Sequence, residues 1–235
     1  MKVLEVRDWH TVNFPMRKLG RAEITRETYP KGYYLMEGVG GYDLFHIPSQ
    51  ITVNALRLNG ETVMVDDPLH WYGMERLADR AIGRVWVAGL GLGLIIHHLV
   101  KNRLVTSITV YEISQDVIDL ISPSLPKDKR VGVELSDALY EADWYASCAE
   151  NGTGNFFDTY IFDLWVKEGD AFNEAMPNLD AVMNKVYKLR IATKAMVFVW
   201  GHRDPTLNPA VVEVGEEYRE LLRQMHEREA GCQRK

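Results

Sequence analysis

Within residues 83–112, GRVWVAGLGLGLIIHHLVKNRLVTSITVYE, a short apolar run from Val85 to Ala88 meets alternate glycines at Gly89, Gly91 and Gly93. An apolar helical stretch follows, and then a second β-branched run closed by Glu112. A strand, glycine loop, helix and strand in this order constrain the fold strongly. Two strands joined through a helix lie parallel in one sheet, with a right-handed crossover. Glycine at the strand-to-helix turn lets backbone approach a ligand where a Cβ would collide. An acid about twenty residues further on falls at the end of the next strand, where a carboxylate can accept both hydroxyls of a ribose. The same glycines also suit a tight turn that holds nothing, and Glu112 is the residue that favours a ligand.

From residue 84 onward, strands and helices alternate. Strands are expected at Arg84–Ala88, Ser107–Glu112, Val131–Leu135, Thr159–Asp163 and Ala195–Trp200, with helices over 93–101, 115–121, 138–149, 177–192 and 209–229. Residues 1–66 read instead as a β-rich appendage, with alternation at Arg21–Thr28, Tyr33–Glu37, Asp43–Ile47 and Ile51–Leu58. Asn59-Gly60 predicts a type I′ hairpin turn, joining VNALRL to ETVMV. Asp67 then reads as an N-cap, with Pro68 at the first helical position. The expected division is an appendage over 1–66 and a Rossmann-like domain over 67–235. Only a short polar tail follows the last helix, so the sheet is expected to stop at five parallel strands. Its open edge would be covered by that helix or by self-association into a homo-oligomer.

Composition narrows the function. A net charge of −6 leaves no broad basic surface for duplex nucleic acid. The only basic cluster, Arg17, Lys18, Arg21, Arg26 and Lys31, suits a solvated loop equally well. Cys148 and Cys232 lie far apart, without the spacing of a disulfide framework or a metal site. The start, MKVLEVRDWH, has no apolar signal core, and no stretch has the length of a membrane span. The expectation is a cytoplasmic chain with no membrane partner and no metal, acting on a small molecule.

Glu112, Asp137 and Asp163 recur at or just past the carboxyl ends of successive strands, with Asp158 just before the fourth. In an open parallel sheet these ends face the ligand crevice. Glu112 is the candidate ribose acceptor. Asp137, in SDALY, either accepts the adenine amino group or caps the helix that begins at Ala138, and Ala138 and Leu139 offer backbone and apolar contact. Asp163, in FDTYIFDLW, is the candidate catalytic residue, able to orient a nucleophile or take its proton. Trp165 either faces the substrate or packs. His70 and Tyr72, on the helix before the glycine loop, are candidate substrate residues, whereas Trp71 reads as core. His97 and His98 are adjacent on a helix, about 100° apart, and cannot share a metal. No Ser-His-Asp set, phosphate loop or HExxH motif is present.

A dinucleotide fingerprint would place its third glycine at position 94, which is Leu94. GLGLG is the GxGxG form and resembles the cofactor loop of class I S-adenosylmethionine-dependent methyltransferases and of the related spermidine synthases. The resemblance runs over about residues 40 to 200. LRLNGETVMVDDPLHWYGMERLA is similar to that family's hairpin and first helix, VYEIS to the segment with the ribose-binding acid, ELSDALY to the adenine-side segment, and FDTYIFDLW to the strand with the catalytic aspartate. It implies a Rossmann-like sheet that here lacks the usual terminal hairpin, with S-adenosylmethionine or its decarboxylated form as cofactor. Two departures bear on the reaction. The D-x-x-D-P pattern that supports a polyamine has Val166 at its second acid, and the [DN]-P-P-[YF] pattern of amino-methylating enzymes is lost at Leu164 and Trp165. The reading is an S-adenosylmethionine-binding transferase, a methyltransferase ahead of an aminopropyltransferase. In the second case Asp66, Asp67 or Asp170 would partly restore amine binding. A non-catalytic relative serving as an assembly module is the third reading.

Overall fold

The computed structural model describes residues 12–38, 41–154, 156–164, 179–200 and 206–207. Six strands come first: β1 (Lys18–Leu19), β2 (Ala22–Tyr29), β3 (Gly32–Gly38), β4 (Gly41–Ile47), β5 (Ile51–Leu58) and β6 (Glu61–Val65). Strands β1, β2, β5 and β6 form an antiparallel sheet in the order β1-β2-β5-β6, and β3 pairs with β4 alone. The turn between β5 and β6 has Asn59 at φ 53° and Gly60 at φ 87°, as a type I′ hairpin requires. Strand β1 was not expected from the sequence, because two residues are too few to show an alternation.

Asp67 caps α1 (Pro68–Arg80), its carboxylate accepting from the His70 amide at 2.9 Å with Pro68 opening the helix. Strand and helix then alternate: β7 (Gly83–Ala88), α2 (Leu94–Leu99), β8 (Val105–Glu112), α3 (Gln115–Ile121), β9 (Val131–Leu135), α4 (Ala138–Glu150), β10 (Thr159–Phe162), α5 (Leu179–Thr193) and β11 (Met196–Val199). The second sheet is wholly parallel, in the order β11-β10-β7-β8-β9. The fold is thus α/β, with five parallel strands as expected and an antiparallel sheet at the start of the described residues. Strands β10 and β11 close one residue before the sequence predicts, because Asp163 and Trp200 lie beyond the last paired residues, Phe162 and Val199. The expected helix over 209–229 and the candidate Trp165 lie outside the described residues.

Side-chain alternation sorts each parallel strand between two cores. On one face Val85, Val87, Ile108, Val110, Ile161 and Phe198 pack with α1, α2 and α3. On the other, Trp86, Ala88, Tyr111, Tyr160 and Phe162 pack with α4 and α5. The first core continues into the antiparallel sheet through Ala22, Ile24, Leu56 and Val63. His98, 4% exposed, packs edge-on against Trp71 at 4.3 Å between ring centres, so its place is between α1 and α2. Among the described residues no helix is long and apolar enough to cross a membrane.

The placement of α1 depends on Asn102. Its amide donates to the carbonyls of Ala78 and Ala81 at the end of that helix, each at 2.8 Å, and its oxygen accepts from the Leu104 amide at 2.8 Å. Both lie in the last turn of the helix, where carbonyls run short of intrahelical donors, and that of Ala78 also accepts from the Ala81 amide at 3.2 Å. Asn102→Ala is expected to lower stability by about 1–3 kcal/mol, read by urea unfolding.

Candidate functional site

Chain order reverses between β7 and β10, so the parallel sheet has its switch point there and its ligand crevice beyond their carboxyl ends. Gly89 follows β7 and Asp163 follows β10. The two meet: a Cβ on Gly89 would lie 2.3 Å from the Asp163 carbonyl oxygen, and Gly89 has φ 87°. No other residue suits that point. The Asp163 amide also donates to the Ala88 carbonyl at 3.0 Å, fixing this acid beside the glycine loop.

Glu112, at the end of β8, reaches back to the same loop. One carboxylate oxygen accepts from the Leu90 amide at 2.9 Å and the other from the Ser114 amide at 2.9 Å. Each oxygen thereby takes one backbone donor and keeps a second acceptor direction. Gly91, at φ 50°, is approached from the antiparallel sheet: a Cβ there would meet the Met64 sulfur at 2.4 Å, and that sulfur accepts from the Leu92 amide at 3.2 Å. Gly93 is the left-handed residue that opens α2.

Asp137 is exposed and caps α4, accepting from the Leu139 amide at 2.8 Å, and Ala138 behind it is buried. The structure therefore shows the capping bond and places Asp137 beyond the end of β9, one strand across from Glu112. Asp158 stands at the opposite edge of the sheet from these acids. It pairs with Arg84 at 3.1 Å and accepts from the Arg84 amide at 2.8 Å, joining the amino ends of β7 and β10.

Behind Asp163 lies a cluster of acids around one imidazole. Asp67, fully buried, holds His70 Nδ1 at 3.1 Å as well as capping α1. Asp66, also fully buried, accepts from the Asn54 amide and side chain, each at 2.6 Å. Burial pushes the Asp66 carboxyl up to about 6 against the hydrogen bonds from Asn54. Burial likewise pushes Asp163 up to about 7, opposed by the attraction of His70. For His70 burial disfavours the charge, but Asp67, Asp163 and Asp66 together prevail and raise it above the ordinary imidazole value. Tyr72 is half-buried and packs against the first core.

Two residues that sequence reasoning did not single out belong here. Met64 covers the glycine loop, and Trp200, just past β11, sets its ring 5.6 Å from that of His70. Trp200 had a signal in the sequence: Gly73 in the middle of an amphipathic helix is a gap that something must fill. Met64 had none, because a hairpin side chain's reach onto a distant loop is a tertiary fact.

The sequence matches no protein-family model and no curated protein. Three solved structures are similar. A spermidine synthase from Thermotoga maritima has TM-score 0.37 and 15% identity, over 58% of this chain and 56% of that one. A spermidine synthase in complex with the transition-state analogue AdoDATO has TM-score 0.41 and 13% identity, over 71% and 63%. Human methyltransferase-like protein 13 in complex with SAH has TM-score 0.35 and 19% identity, over 51% and 56%. The chain spans less than two thirds of the length of each.

Two outcomes follow. Gly89→Ala is expected to cost about 2–4 kcal/mol, since it combines backbone strain with a collision against a carbonyl, and denaturant unfolding checks it. The second concerns pH. Asp66 and Asp163 hold their protons more tightly folded than unfolded, so stability falls as pH rises from about 4 to 7. His70 adds to the fall, because its contribution is present below its unfolded value and lost as pH rises through the folded one. Asp163→Asn is expected to flatten this slope and to leave the protein about 1–3 kcal/mol more stable than wild type at pH 8, measured by urea titrations across the range.

Proposed function

We propose that the chain is an S-adenosylmethionine-binding transferase that moves a methyl group to a small-molecule acceptor. The observation that carries this reading is the Glu112 carboxylate, braced by the Leu90 and Ser114 amides at the glycine loop. Its two oxygens suit the paired hydroxyls of a ribose, and a carboxylate held by backbone donors does not need to reorganise to receive them. Gly89 and Gly91 would flank the sulfonium side, with Asp137 and Ala138 on the base side. When bound, the cofactor supplies an electrophilic methyl group.

Methyl transfer asks the protein for alignment, exclusion of water and, for an acceptor that carries a proton, a base. Asp163 has the position and the proton affinity for that last task. Its backbone is fixed against Gly89, and a carboxyl titrating near neutrality accepts a proton more readily than an ordinary surface aspartate. With the cofactor held at Glu112 and supplying the methyl group, Asp163 would take the proton that the acceptor gives up. His70 then stabilises the carboxylate whenever that proton leaves. The acids around His70 also support a second reading, aminopropyl transfer from the decarboxylated cofactor to an amine.

Calorimetry with S-adenosylmethionine, its demethylated product and the decarboxylated form separates these readings. Methyl transfer expects binding of the first two, aminopropyl transfer expects preference for the third, and an assembly module expects none. Glu112→Ala is expected to weaken cofactor binding by more than about tenfold, because two buried hydroxyls lose their acceptor. Unchanged affinity in a folded Glu112→Ala protein overturns the placement of the ribose.

A further inference from the structure

Trp200 occupies a singular place. It follows β11 directly, and because Phe162 pairs with Val199 it is the neighbour of Asp163 across the carboxyl edge of the sheet. Its amide donates to the Phe162 carbonyl at 2.9 Å, so its backbone is fixed to the strand that delivers Asp163. Its indole crosses to α1. A Cβ on Gly73 would lie 2.1 Å from Cη2 and from Cζ3 of that ring, so the indole rests on helix backbone. Glycine inside a helix costs about 0.5–1 kcal/mol relative to alanine, and here the ring occupies the space that a side chain would fill. His70 lies one turn earlier on the same face of α1, with its ring 5.6 Å from the indole and inclined at 45°.

We propose that Trp200 is a positioning residue: its indole, wedged between Gly73 and His70, sets the distance of α1 from the sheet edge and so the distance of His70 from Asp163. The inference rests on the reading of Asp163 as the crevice acid and deepens it, assigning the aromatic wall that fixes the imidazole beside that acid. The Asp67 hydrogen bond sets the orientation of the imidazole on its own helix. It does nothing to hold that helix at the edge of β10 and β11. Among the described residues, the charged groups acting on His70 are Asp66 and Asp67 from the start of α1 and Asp163 from the end of β10. Of these three, Asp163 is the one that does not come from the start of α1.

The test is the titration of His70, followed by NMR on the full chain without cofactor, its signal assigned with His70→Gln. Asp163→Asn is expected to lower the proton affinity of His70 by about threefold or more, since a negative neighbour is removed. In a Trp200→Ala background the same substitution is expected to change it by less than about 1.5-fold, the loss of coupling that a double-mutant cycle isolates. Trp200→Phe, which keeps a ring against Gly73, is expected to retain most of the effect. Gly73→Ala, which displaces the indole while leaving it present, is expected to abolish it. An undiminished Asp163→Asn effect in the Gly73→Ala or Trp200→Ala protein overturns the proposal, as does the absence of the effect in the wild-type background. If Trp200→Ala does not fold, Gly73→Ala and Trp200→Phe decide. Cofactor calorimetry on the same proteins keeps the two readings apart: a chain that binds no cofactor yet shows this coupling loses its proposed function and keeps its positioning residue.

Discussion

The contact between Gly89 and the carbonyl of Asp163 is the constraint on which the rest of the site depends. Strands β7 and β10 are neighbours in the sheet, and their helical connections leave in opposite directions, which opens the crevice above their ends. At that point backbone meets backbone with no room for a methyl group. The contact lets Asp163 emerge directly beside the glycine loop. Glu112, one strand further, then reaches the loop amides by a hydrogen bond from its own strand end. Had β7 carried any larger residue at 89, β10 would have to withdraw or shift, and the two acids would no longer share one rim.

Those two carboxylates have different environments. Glu112 accepts two backbone amides, an arrangement that fixes its direction. Asp163 loses solvent at the rim of the sheet, which favours its neutral form, with the attraction of His70 opposing that. A carboxylate held by fixed donors suits recognition, and one poised near neutrality suits proton transfer. Burial of Asp66 and Asp67 beside them would be costly without partners, and both have them: Asn54 for the first, the His70 amide and imidazole for the second. The acid cluster is therefore a built feature of the junction between hairpin and helix.

The sequence was most legible where local chemistry alone decides the structure. Asn59-Gly60, Asp67-Pro68 and the apolar run from Val85 to Ala88 each carry their cause within a few residues, and the hairpin, the helix start and the strand formed as read. The edge-strand pair β1 and the early ends of β10 and β11 were not legible, because pairing partners rather than propensity set them. The site divides in the same way. That Gly89, Glu112 and Asp163 would gather at one rim followed from strand order, which the alternation of elements implies. The His70–Trp200–Gly73 stack and the Met64 contact required knowing how far α1 and the hairpin lie from the sheet, a distance that packing sets.

The boundary after residue 66 marks a change of sequence pattern, but neither the core nor the site stops at it. Ala22, Ile24, Leu56 and Val63 pack in the same cluster as Val85 and Val87, so the antiparallel sheet forms one wall of the core that supports β7. Met64, from the same sheet, accepts the Leu92 amide within the glycine loop. A thioether is a weak acceptor and a flexible filler, able to cover backbone closely without competing strongly for its donor. The loop is thereby shaped from two sides: Asp163 meets Gly89 from the parallel sheet, and Met64 meets Gly91 from the antiparallel one. A crevice bounded in this way cannot be altered from one sheet without the other responding.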